Sequence, residues 1–533
     1  MNVMRVKGDY MKQYASIFND VLGPVMSGPS SSHTAASVRV GKLVSQIRPE
    51  NLKRFLVEFD KDGSLAPSYR ESWVDVGLAA GIQGMLPDDR RLQEALALLK
   101  DQGIDMEIRI GSFPGDHPNT YRMTLEGESE TVRATALSVG GGMVELIGVN
   151  GFDVSITGGF YETLIFTHCS SEMISLVQGG ELGSLIPLRH QIDIQYDESR
   201  KTGFYVIRTE EALDEETRED LEAMPVVERV FFLEPVLPVT SQLEPTVPFL
   251  TAEELLEMTE DEDLEIWQAA VRYESDRGGM SAEETVEKMR RLADIMQESL
   301  DSGLAGTEYE KRILGAQSLY LGDPQKRMRL VPDDLTNEII RSVSALMEVK
   351  SSMGIFVAAP TGGSCGCVTG TILAVANHLK LPREQVIKAL FAAGIIGVFL
   401  AERATFAAEL AGCQAECGSG SGMAAAGLVQ LMGGTAEEAC NAASMALQNV
   451  FGLTCDPVAM GVEAPCLGKN VMSGVNALTC ANMAMAGFDP VVPLDQTIDA
   501  FNEVGRMIPV ELRYTGLAGL TCTQASREAE KKL

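Results

Sequence analysis

The sequence has few tryptophans and histidines, little positive charge and no long uncharged apolar run. Two Trp and five His occur in 533 residues, and aromatic residues make up 6%. The 44 Lys and Arg residues face 75 Asp and Glu, so the net charge is −31 with His neutral. Because such a surface repels phosphate backbones, and no local basic cluster interrupts it, the composition argues against a nucleic-acid partner.

Membrane and secretion signals are also missing from the pattern. The longest uncharged apolar run, residues 389–401 (ALFAAGIIGVFLA), is shorter than the roughly 20 residues of a membrane-spanning helix. The first residues (MNVMRVKGDYMKQY) have no apolar stretch after their positive charges, as a secretory signal would. We therefore expect a cytoplasmic protein without a membrane partner, whose ten cysteines are reduced and are buried, catalytic or metal-binding.

The composition changes along the chain in a way that predicts several domains. Residues 1–150 mix strand-like and helical patterns, and residues 151–235 place short apolar strands around one helix, so both are expected to be α+β. Residues 236–250 carry three prolines without periodicity and are interpreted as a linker. Residues 251–533 are mostly helical in pattern. The predicted fold class is multidomain, α/β (α+β) followed by all-α.

Short patterns predict individual elements of these domains. Residues 55–59 and 106–110 are spaced as strands, and residues 91–100 are spaced as a helix. Thr251 and Glu254 form the pattern of a capping box, which predicts a helix N-terminus directly after the linker.

Three cysteines lie in turns bordered by glycine or proline in the helical half. Cys413 lies in AGCQAECGSGSG, Cys455 in LTCDP and Cys466 in APC. Their spacing differs from the compact motifs of ferredoxins and zinc ribbons. Spacing alone therefore leaves open that they are small buried core residues, which is a common role of free cysteine.

Two loops rich in glycine and hydroxyl groups precede helical patterns. They are residues 28–34 (GPSSSHT) and 359–366 (APTGGSCG), and a third loop, DHPNT, adds another imidazole. Loops at helix N-termini bind anions such as carboxylates, although Ser and Thr are also ordinary N-caps. The candidate substrate-binding side chains of these loops are Ser30, Ser31, Ser32, Thr34, His117, Asn119, Thr361 and Ser364.

Taken together, these motifs resemble the iron–sulfur-dependent L-serine dehydratases in the form in which β and α parts share one polypeptide. The matching stretches occur in family order and span nearly the whole chain, which is more specific than any single motif. They are GPVMSGPSSSHTA (23–35), HPNT (117–120), GGG (140–142), APTGGSCG (359–366), GCQAE (412–416), SGMAAA (421–426), GLTCDPV (452–458) and PC (465–466).

The resemblance implies a β-type domain (1–150), a small ACT-like α+β domain (151–235) and an α-type helical catalytic domain (251–533). It also implies a [4Fe–4S] cluster on Cys413, Cys455 and Cys466. The implied enzyme is a homo-oligomer, a dimer, acting on a small amino acid. It would convert L-serine to pyruvate and ammonia in amino-acid degradation and gluconeogenesis.

His33 is the candidate catalytic base, because an imidazole titrates near the working pH of most enzymes. The alternative for His33 is a hydrogen bond that only orients its loop. The sequence contains no lysine in a recognisable pyridoxal-type setting, so the cluster is expected to supply the electrophile.

Three segments depart from the family pattern. A GHGTD element is replaced by RESWVD (70–75), an LTGGD element by ILGAQ (313–317), and an NASISG stretch by RATFAA (403–408). These changes leave the substrate open between serine and another β-substituted acid such as threonine, cysteine or a hydroxy-dicarboxylate. A non-catalytic amino-acid sensor is the other alternative. Its cluster would be closed by a fourth cysteine, for which the candidates are Cys365, Cys417 and Cys522.

Overall fold

The computed structural model describes residues 3–6, 13–113, 115, 117–168, 185–197 and 201–531. Cys169 lies outside the described residues. The N-terminal half is a mixed α/β region with two large sheets, and the C-terminal half is mostly helical. The fold class predicted from the sequence is therefore confirmed.

A six-stranded sheet packed by short helices dominates residues 36–156. Its order is β4-β3-β5-β6-β7-β8, with β3 and β4 parallel and the other neighbours antiparallel. The strands of this half up to residue 167 are β1 (Val3–Val6), β2 (Val25–Met26), β3 (Leu52–Asp60), β4 (Asp105–Gly111), β5 (Thr120–Gly127), β6 (Thr131–Gly140), β7 (Met143–Val149), β8 (Phe152–Ile156) and β9 (Tyr161–Thr167). The helices are α1 (Ala36–Ser45), α2 (Leu65–Ser68), α3 (Val74–Ile82) and α4 (Ala95–Asp101).

The predicted elements of this half compare well with the observed ones. The strands expected at 55–59 and 106–110 are parts of β3 and β4. The helix expected over residues 91–100 is shorter, because a 3₁₀ turn (Leu92–Glu94) precedes α4. Strand β6 alternates exposed and buried side chains because one face covers the core.

A second, five-stranded antiparallel sheet has the order β1-β10-β11-β9-β12. Its remaining elements are β10 (His190–Asp197), β11 (Thr202–Thr209), α5 (Glu215–Ala223) and β12 (Val227–Leu233). Asp214 caps α5 by accepting a hydrogen bond from the Thr217 backbone N–H. Inside the sheet the buried Arg208 guanidinium pairs with Glu162 and Asp193 at 2.8 and 2.7 Å, so this charge is compensated within the domain.

The helical half is built around long helices rich in alanine and glycine. Its first helix begins at Thr251, whose hydroxyl and Glu254 form the predicted capping box. The elements are α6 (Ala252–Asp261), α7 (Ile266–Gly278), α8 (Ala282–Ala305), α9 (Ser318–Gly322), α10 (Pro324–Arg327), α11 (Asp334–Ser351), β13 (Phe356–Val357), α12 (Cys365–Leu379), α13 (Arg383–Arg403), α14 (Ala408–Ala411), α15 (Cys417–Leu431), α16 (Ala436–Gln448), α17 (Cys466–Met485), α18 (Leu494–Met507) and α19 (Gln524–Glu530).

The connection at residues 236–250 contains neither helix nor strand, but it is packed. Val239, Leu243 and Phe249 are buried. The Asn19 side chain donates to the Val239 carbonyl at 2.7 Å and accepts from its N–H at 3.0 Å. The segment is therefore an extended connection fixed against the N-terminal residues, since its backbone groups find partners there.

The two halves are joined by a two-stranded antiparallel ladder between β2 and β13, in which Met26 pairs with Phe356 and Val25 with Val357. The ladder continues as a hydrogen bond from the Ala358 N–H to the Pro24 carbonyl at 3.0 Å. The loop after β2 and the loop after β13 consequently leave the ladder side by side.

One helix among the described residues, α13, is long and apolar enough to cross a membrane by length and composition alone. Of its apolar window, 78% is buried inside the protein. Such burial is the environment of a core helix.

Helix packing in the β-type half generates a stability prediction. Gly81 of α3 meets α1 so closely that a Cβ would overlap the Val38 carbonyl oxygen. We expect Gly81→Ala to destabilise the protein by about 1–3 kcal/mol through overpacking. Gly468→Ala is the control, because that helical glycine has nothing within 4 Å of the added Cβ. Thermal unfolding followed by circular dichroism measures both, and an unchanged midpoint for Gly81→Ala would contradict the packing argument.

Candidate functional site

The ladder between β2 and β13 brings the two hydroxyl loops into direct contact. The Gly362 N–H donates to the Ser31 hydroxyl at 2.9 Å. A Cβ on Gly362 would lie 2.9 Å from the Ser31 nitrogen, so only glycine permits this approach. The two loops, 331 residues apart in sequence, form one site.

The second loop is held by its own cap. The Thr361 hydroxyl accepts from the Ser364 N–H at 3.2 Å, and the two hydroxyl groups lie 3.0 Å apart. Thr361 also donates to the Glu416 carboxylate at 2.7 Å. Thr361 and Ser364 are therefore adjacent as expected, but their hydroxyl groups already have partners within the protein.

His33 lies at the centre of the first loop and is fully buried. Its Nδ1 is 2.9 Å from the Ser32 hydroxyl and 3.2 Å from that of Ser30. Ser32 donates its only hydroxyl proton to Glu409 at 3.0 Å. Nδ1 must therefore carry a proton to bond with Ser32. Nε2 is left with its lone pair, and it has no partner among the described residues.

The pKa of His33 is lowered by burial, and the Glu409 carboxylate, 3.6 Å away, opposes that shift. With a pKa below its usual value of 6.5, the imidazole is neutral at neutral pH and keeps a lone pair on Nε2. On its other side, the ring edge of Tyr514 packs against the imidazole with the centroids 5.3 Å apart.

His117 and Asn119 lie near the same carboxylate. His117 Nδ1 accepts from the Asn119 backbone N–H at 3.1 Å. Burial lowers the pKa of His117, and the charge of Glu409 again opposes the shift. The Asn119 amide oxygen accepts from the Ser64 hydroxyl, whereas its Nδ2 is buried without a partner among the described residues. A buried donor without a partner is costly and indicates a place for a ligand.

Thr34 connects its loop to the segment of residues 70–75. Its hydroxyl donates to the Ser72 carbonyl at 2.8 Å, and the Ser72 hydroxyl lies 2.9 Å from that of Tyr514. These bonds hold residues 70–75, the segment that departs from the family pattern, at the site. Trp73 adopts a left-handed backbone conformation there, with φ +56°.

The three predicted cysteines converge from separate turns and are all buried. Cys413 lies in a 3₁₀ turn (Gly412–Gln414) that follows Gly412, where φ is +68° and a Cβ would lie 2.7 Å from the Leu453 carbonyl. This close approach places Cys413 against Cys455, and Cys466 begins α17 nearby.

The Cys413 sulfur is hydrogen-bonded to two other thiols, those of Cys417 and Cys455. Hydrogen bonds from Cys417 and Cys455 lower the pKa of Cys413, and the same bonds raise the pKa of both partners. Burial and the Cys413 charge raise the pKa of Cys466 to about 12. A thiol of this kind loses its proton on binding a metal.

The donor set fits a thiophilic metal group. Ligand atoms of Cys413, Cys455 and Glu416 lie within 4.8 Å of one another. The charge of Cys413 raises the pKa of Cys466, which packs in the same buried cluster. Buried sulfur ligands suit iron–sulfur clusters and other soft metals. The arrangement is compatible with the expected cluster.

The candidate fourth cysteines differ in position. Cys417 is in hydrogen-bonding reach of Cys413, and the Asn470 amide lies 3.5 Å from its sulfur. Cys365 contacts the Met347 sulfur at 3.8 Å. Cys522 is exposed and lies beside the Gly516 carbonyl. Cys417 is therefore hydrogen-bonded to a member of the cysteine set, and Cys365 packs in the same buried cluster as that set.

Several site residues had no sequence signal of their own. Glu409 comes directly after residues 403–408, which depart from the family pattern, and Tyr514 belongs to none of the matched motifs. Glu416 belongs to the matched GCQAE stretch, but the motif assigned it no role. Burial and the charge of Cys413 raise its pKa to about 8.

Comparison with known proteins agrees with this geometry. The family described as “Serine dehydratase alpha chain” matches residues 261–521, which makes the helical half an alpha-chain domain of that class. The “Probable L-serine dehydratase, alpha chain” of Bacillus subtilis (strain 168) is 36% identical over 54% of this chain and 95% of its own length. The alpha chain of L-serine dehydratase from Peptoniphilus asaccharolyticus is 34% identical over 53% of this chain and 97% of its own. “L-serine dehydratase TdcG” of Escherichia coli (strain K12) is 31% identical over 52% of this chain and 63% of its own length.

The chain therefore belongs to the L-serine dehydratase family, with the alpha and beta parts fused in one polypeptide, and it is a lyase that acts on a small amino acid.

The hydrogen bonds around His33 predict how its pKa responds to Glu409. Glu409→Gln removes the negative charge that raises the pKa of His33, so we expect this pKa to fall further below 6.5. Imidazole ¹⁵N NMR titration measures it. Glu437→Gln, an exposed change on α16, is the control and should leave the titration unaltered. An unchanged or higher pKa in Glu409→Gln would contradict the coupling.

Proposed function

We propose that the protein is an L-serine ammonia-lyase that uses a [4Fe–4S] cluster held by Cys413, Cys455 and Cys466. The observation that carries the proposal is that these three buried sulfurs converge beside the loop of His33. Its Nε2 has no partner in the described ranges of the chain. The names of the relatives support the serine dehydratase reaction.

The cysteine set accounts for the electrophilic half of the reaction. When bound by three cysteines, a [4Fe–4S] cluster has one iron without a protein thiolate, and this iron supplies Lewis-acid chemistry toward a hydroxyl leaving group. Lys469 balances the negative charge of the thiolates. Although burial lowers the pKa of this lysine, the three cysteine sulfurs raise it more, and its ammonium pairs with Asp456 at 3.3 Å.

His33 is the proposed base. Its Nε2 accepts the α-proton of serine, and the Ser32–Glu409 chain stabilises the imidazolium that forms. Elimination of the β-hydroxyl then yields aminoacrylate, which tautomerises to the imine and is hydrolysed to pyruvate and ammonia. Ser30 and Ser32 keep the ring in the required tautomer.

The proposed substrate-binding roles depend on which hydrogen-bond donors of the site lack a partner among the described residues. Asn119 Nδ2 is buried without a partner among the described residues, so it is the proposed donor to the substrate. His117 positions Asn119 through its backbone N–H. Ser31, Thr34, Thr361 and Ser364 are proposed to shape the pocket, since their hydroxyl groups are engaged in the bonds described above.

One observation favours the non-catalytic sensor as a second candidate. Cys417 lies beside Cys413, where it is a possible fourth ligand that would close the cluster. Under the lyase proposal Cys417 is dispensable for cluster binding, whereas under the sensor alternative it is required. The dimeric state, the cytoplasmic location and the domain boundaries remain predictions from the sequence.

The cluster assignment predicts a brown, air-sensitive protein after anaerobic reconstitution with iron and sulfide, with about four irons per chain. Cys413→Ala, Cys455→Ala and Cys466→Ala should each lose the visible absorption and the activity. Cys440→Ala is the control, because that cysteine packs within α16. Cys417→Ala should keep both properties. Full activity without iron would refute the proposal, and loss of the cluster in Cys417→Ala would favour the sensor.

The substrate is tested by kcat/KM on the reconstituted enzyme with serine, threonine, cysteine and hydroxy-dicarboxylates, measured as release of 2-oxo acid. We expect serine to be best. One extra methyl group on threonine should lower kcat/KM roughly 10- to 200-fold in a closely packed pocket. A higher value for any other substrate than for serine would overturn the ranking.

A further inference from the structure

Lys350 is a fully buried lysine at the C-terminal end of α11. It has 0% relative exposure, and its ammonium donates to the Val462 carbonyl. Among the described residues, no carboxylate forms an ion pair with it. The buried Arg208, by contrast, has two carboxylate partners.

A buried ammonium without an anionic partner is strongly unfavourable. The C-terminal end of a helix offsets part of this cost through its dipole, and the Val462 carbonyl offsets another part. Neither supplies the full negative charge that normally accompanies a buried lysine. The charge of Lys350 reaches Glu416 and Cys466, but neither group forms an ion pair with it among the described residues. The position is thus suited to an anion that arrives from outside the protein.

Lys350 also lies at the boundary between a cavity and the cysteine set. It lines a cavity of about 320 Å³ together with Pro29 of the first hydroxyl loop and Trp73 of the rewritten segment. The other charged side chains of the wall are the cations Arg70 and Lys311 and the carboxylates Glu71, Glu463 and Glu530. Its positive charge lowers the pKa values of Cys466 and Glu416, against burial that raises both, so it is close to these groups as well. The volume lies within the range of small-molecule sites.

We propose that Lys350 binds a carboxylate of the substrate, and that this cavity is where the substrate enters and is held. The proposal rests on the lyase function proposed above and deepens it. A carboxylate on Lys350 would place the rest of a small amino acid between the cavity wall and the cysteine set. Lys350 is a binding residue in this proposal and takes no part in proton transfer.

Two sources of this carboxylate share the same chemistry. It is either the α-carboxylate of serine or the side-chain carboxylate of a β-hydroxy dicarboxylic amino acid such as 3-hydroxyaspartate. Both substrates have the β-hydroxyl group that elimination requires, so kinetics with the two distinguish the sources.

The test is Lys350→Met, which keeps the length of the side chain and removes its charge. On the reconstituted enzyme we expect KM to rise roughly 10- to 100-fold while kcat changes little, as when a charge-assisted hydrogen bond in the bound state is lost. A rise for both substrates assigns the α-carboxylate, and a rise for the dicarboxylate alone assigns the side-chain carboxylate. Lys350→Arg keeps the charge and should recover part of the affinity. Lys288→Met is the matched control, because Lys288 also donates to a backbone carbonyl but lines a different groove with Pro238.

A second readout does not depend on the cluster. L-Alanine has the carboxylate and amine of serine without a leaving group. It should raise the thermal midpoint of the wild-type chain isolated without iron, but not that of Lys350→Met. If no cluster forms, this shift still tests Lys350, so the two proposals fail separately. An absent shift in the wild type, or unchanged KM values in Lys350→Met with only an altered cluster absorption or reduction potential, would overturn the inference.

Discussion

The pairing of β2 with β13 is the constraint on which the site depends. Two residues on each strand make a ladder too short to be stable alone, so it persists because Met26 and Phe356 are buried at 0% and 1% exposure. The preceding turn at residues 17–21 is embedded in the helical core. Ile17 packs against Gly394 of α13, where an added Cβ would lie only 2.7 Å from the Ile17 side chain. The β-type half is therefore anchored inside the α-type half before its own sheet begins.

This anchoring decides which polar groups are satisfied and which are left over. Along the junction most hydroxyl groups pair with one another or with Glu409 and Glu416. Three other polar atoms of this region, His33 Nε2, Asn119 Nδ2 and one oxygen of Glu409, are buried and have no partner in the part of the chain that the structure describes. Folded proteins avoid such groups because each costs desolvation energy. Other such atoms are spread over the described residues, but these three lie beside the two contacting hydroxyl loops, where a polar ligand would satisfy them.

The features that could be predicted from the sequence are those encoded by a few neighbouring residues. The strand pattern at residues 55–59, the capping box at Thr251 and the turn cysteines are each contained in a few residues. The structure contains the strand, the helix start and the three sulfurs in one buried cluster. Glu409, Tyr514 and Lys350 were not predicted as site residues, because their partners lie far away in the chain. Ser32 and Glu409, for example, are 377 residues apart. The prolines of 236–250 predicted a linker, and the structure has neither helix nor strand there. They did not reveal that Val239 pairs with Asn19, since a packed extended segment and a loose linker share the same composition.

The charge distribution bears on which substrate reaches the site. A net charge of −31 surrounds a centre that holds the cations Lys350 and Lys469. A ligand with net negative charge is repelled by the electrostatic field of such a protein. Salt at about 0.1 M screens this repulsion at distances beyond about 10 Å. Serine is a neutral zwitterion at pH 7 and experiences little of this repulsion, and in the proposal above its carboxylate pairs with the buried ammonium of Lys350. The acidic surface therefore favours a ligand without net charge, and the buried cations favour a ligand with a carboxylate; a small zwitterionic amino acid has both features. A dicarboxylate would bind the cations more strongly, but the acidic surface would repel it during approach.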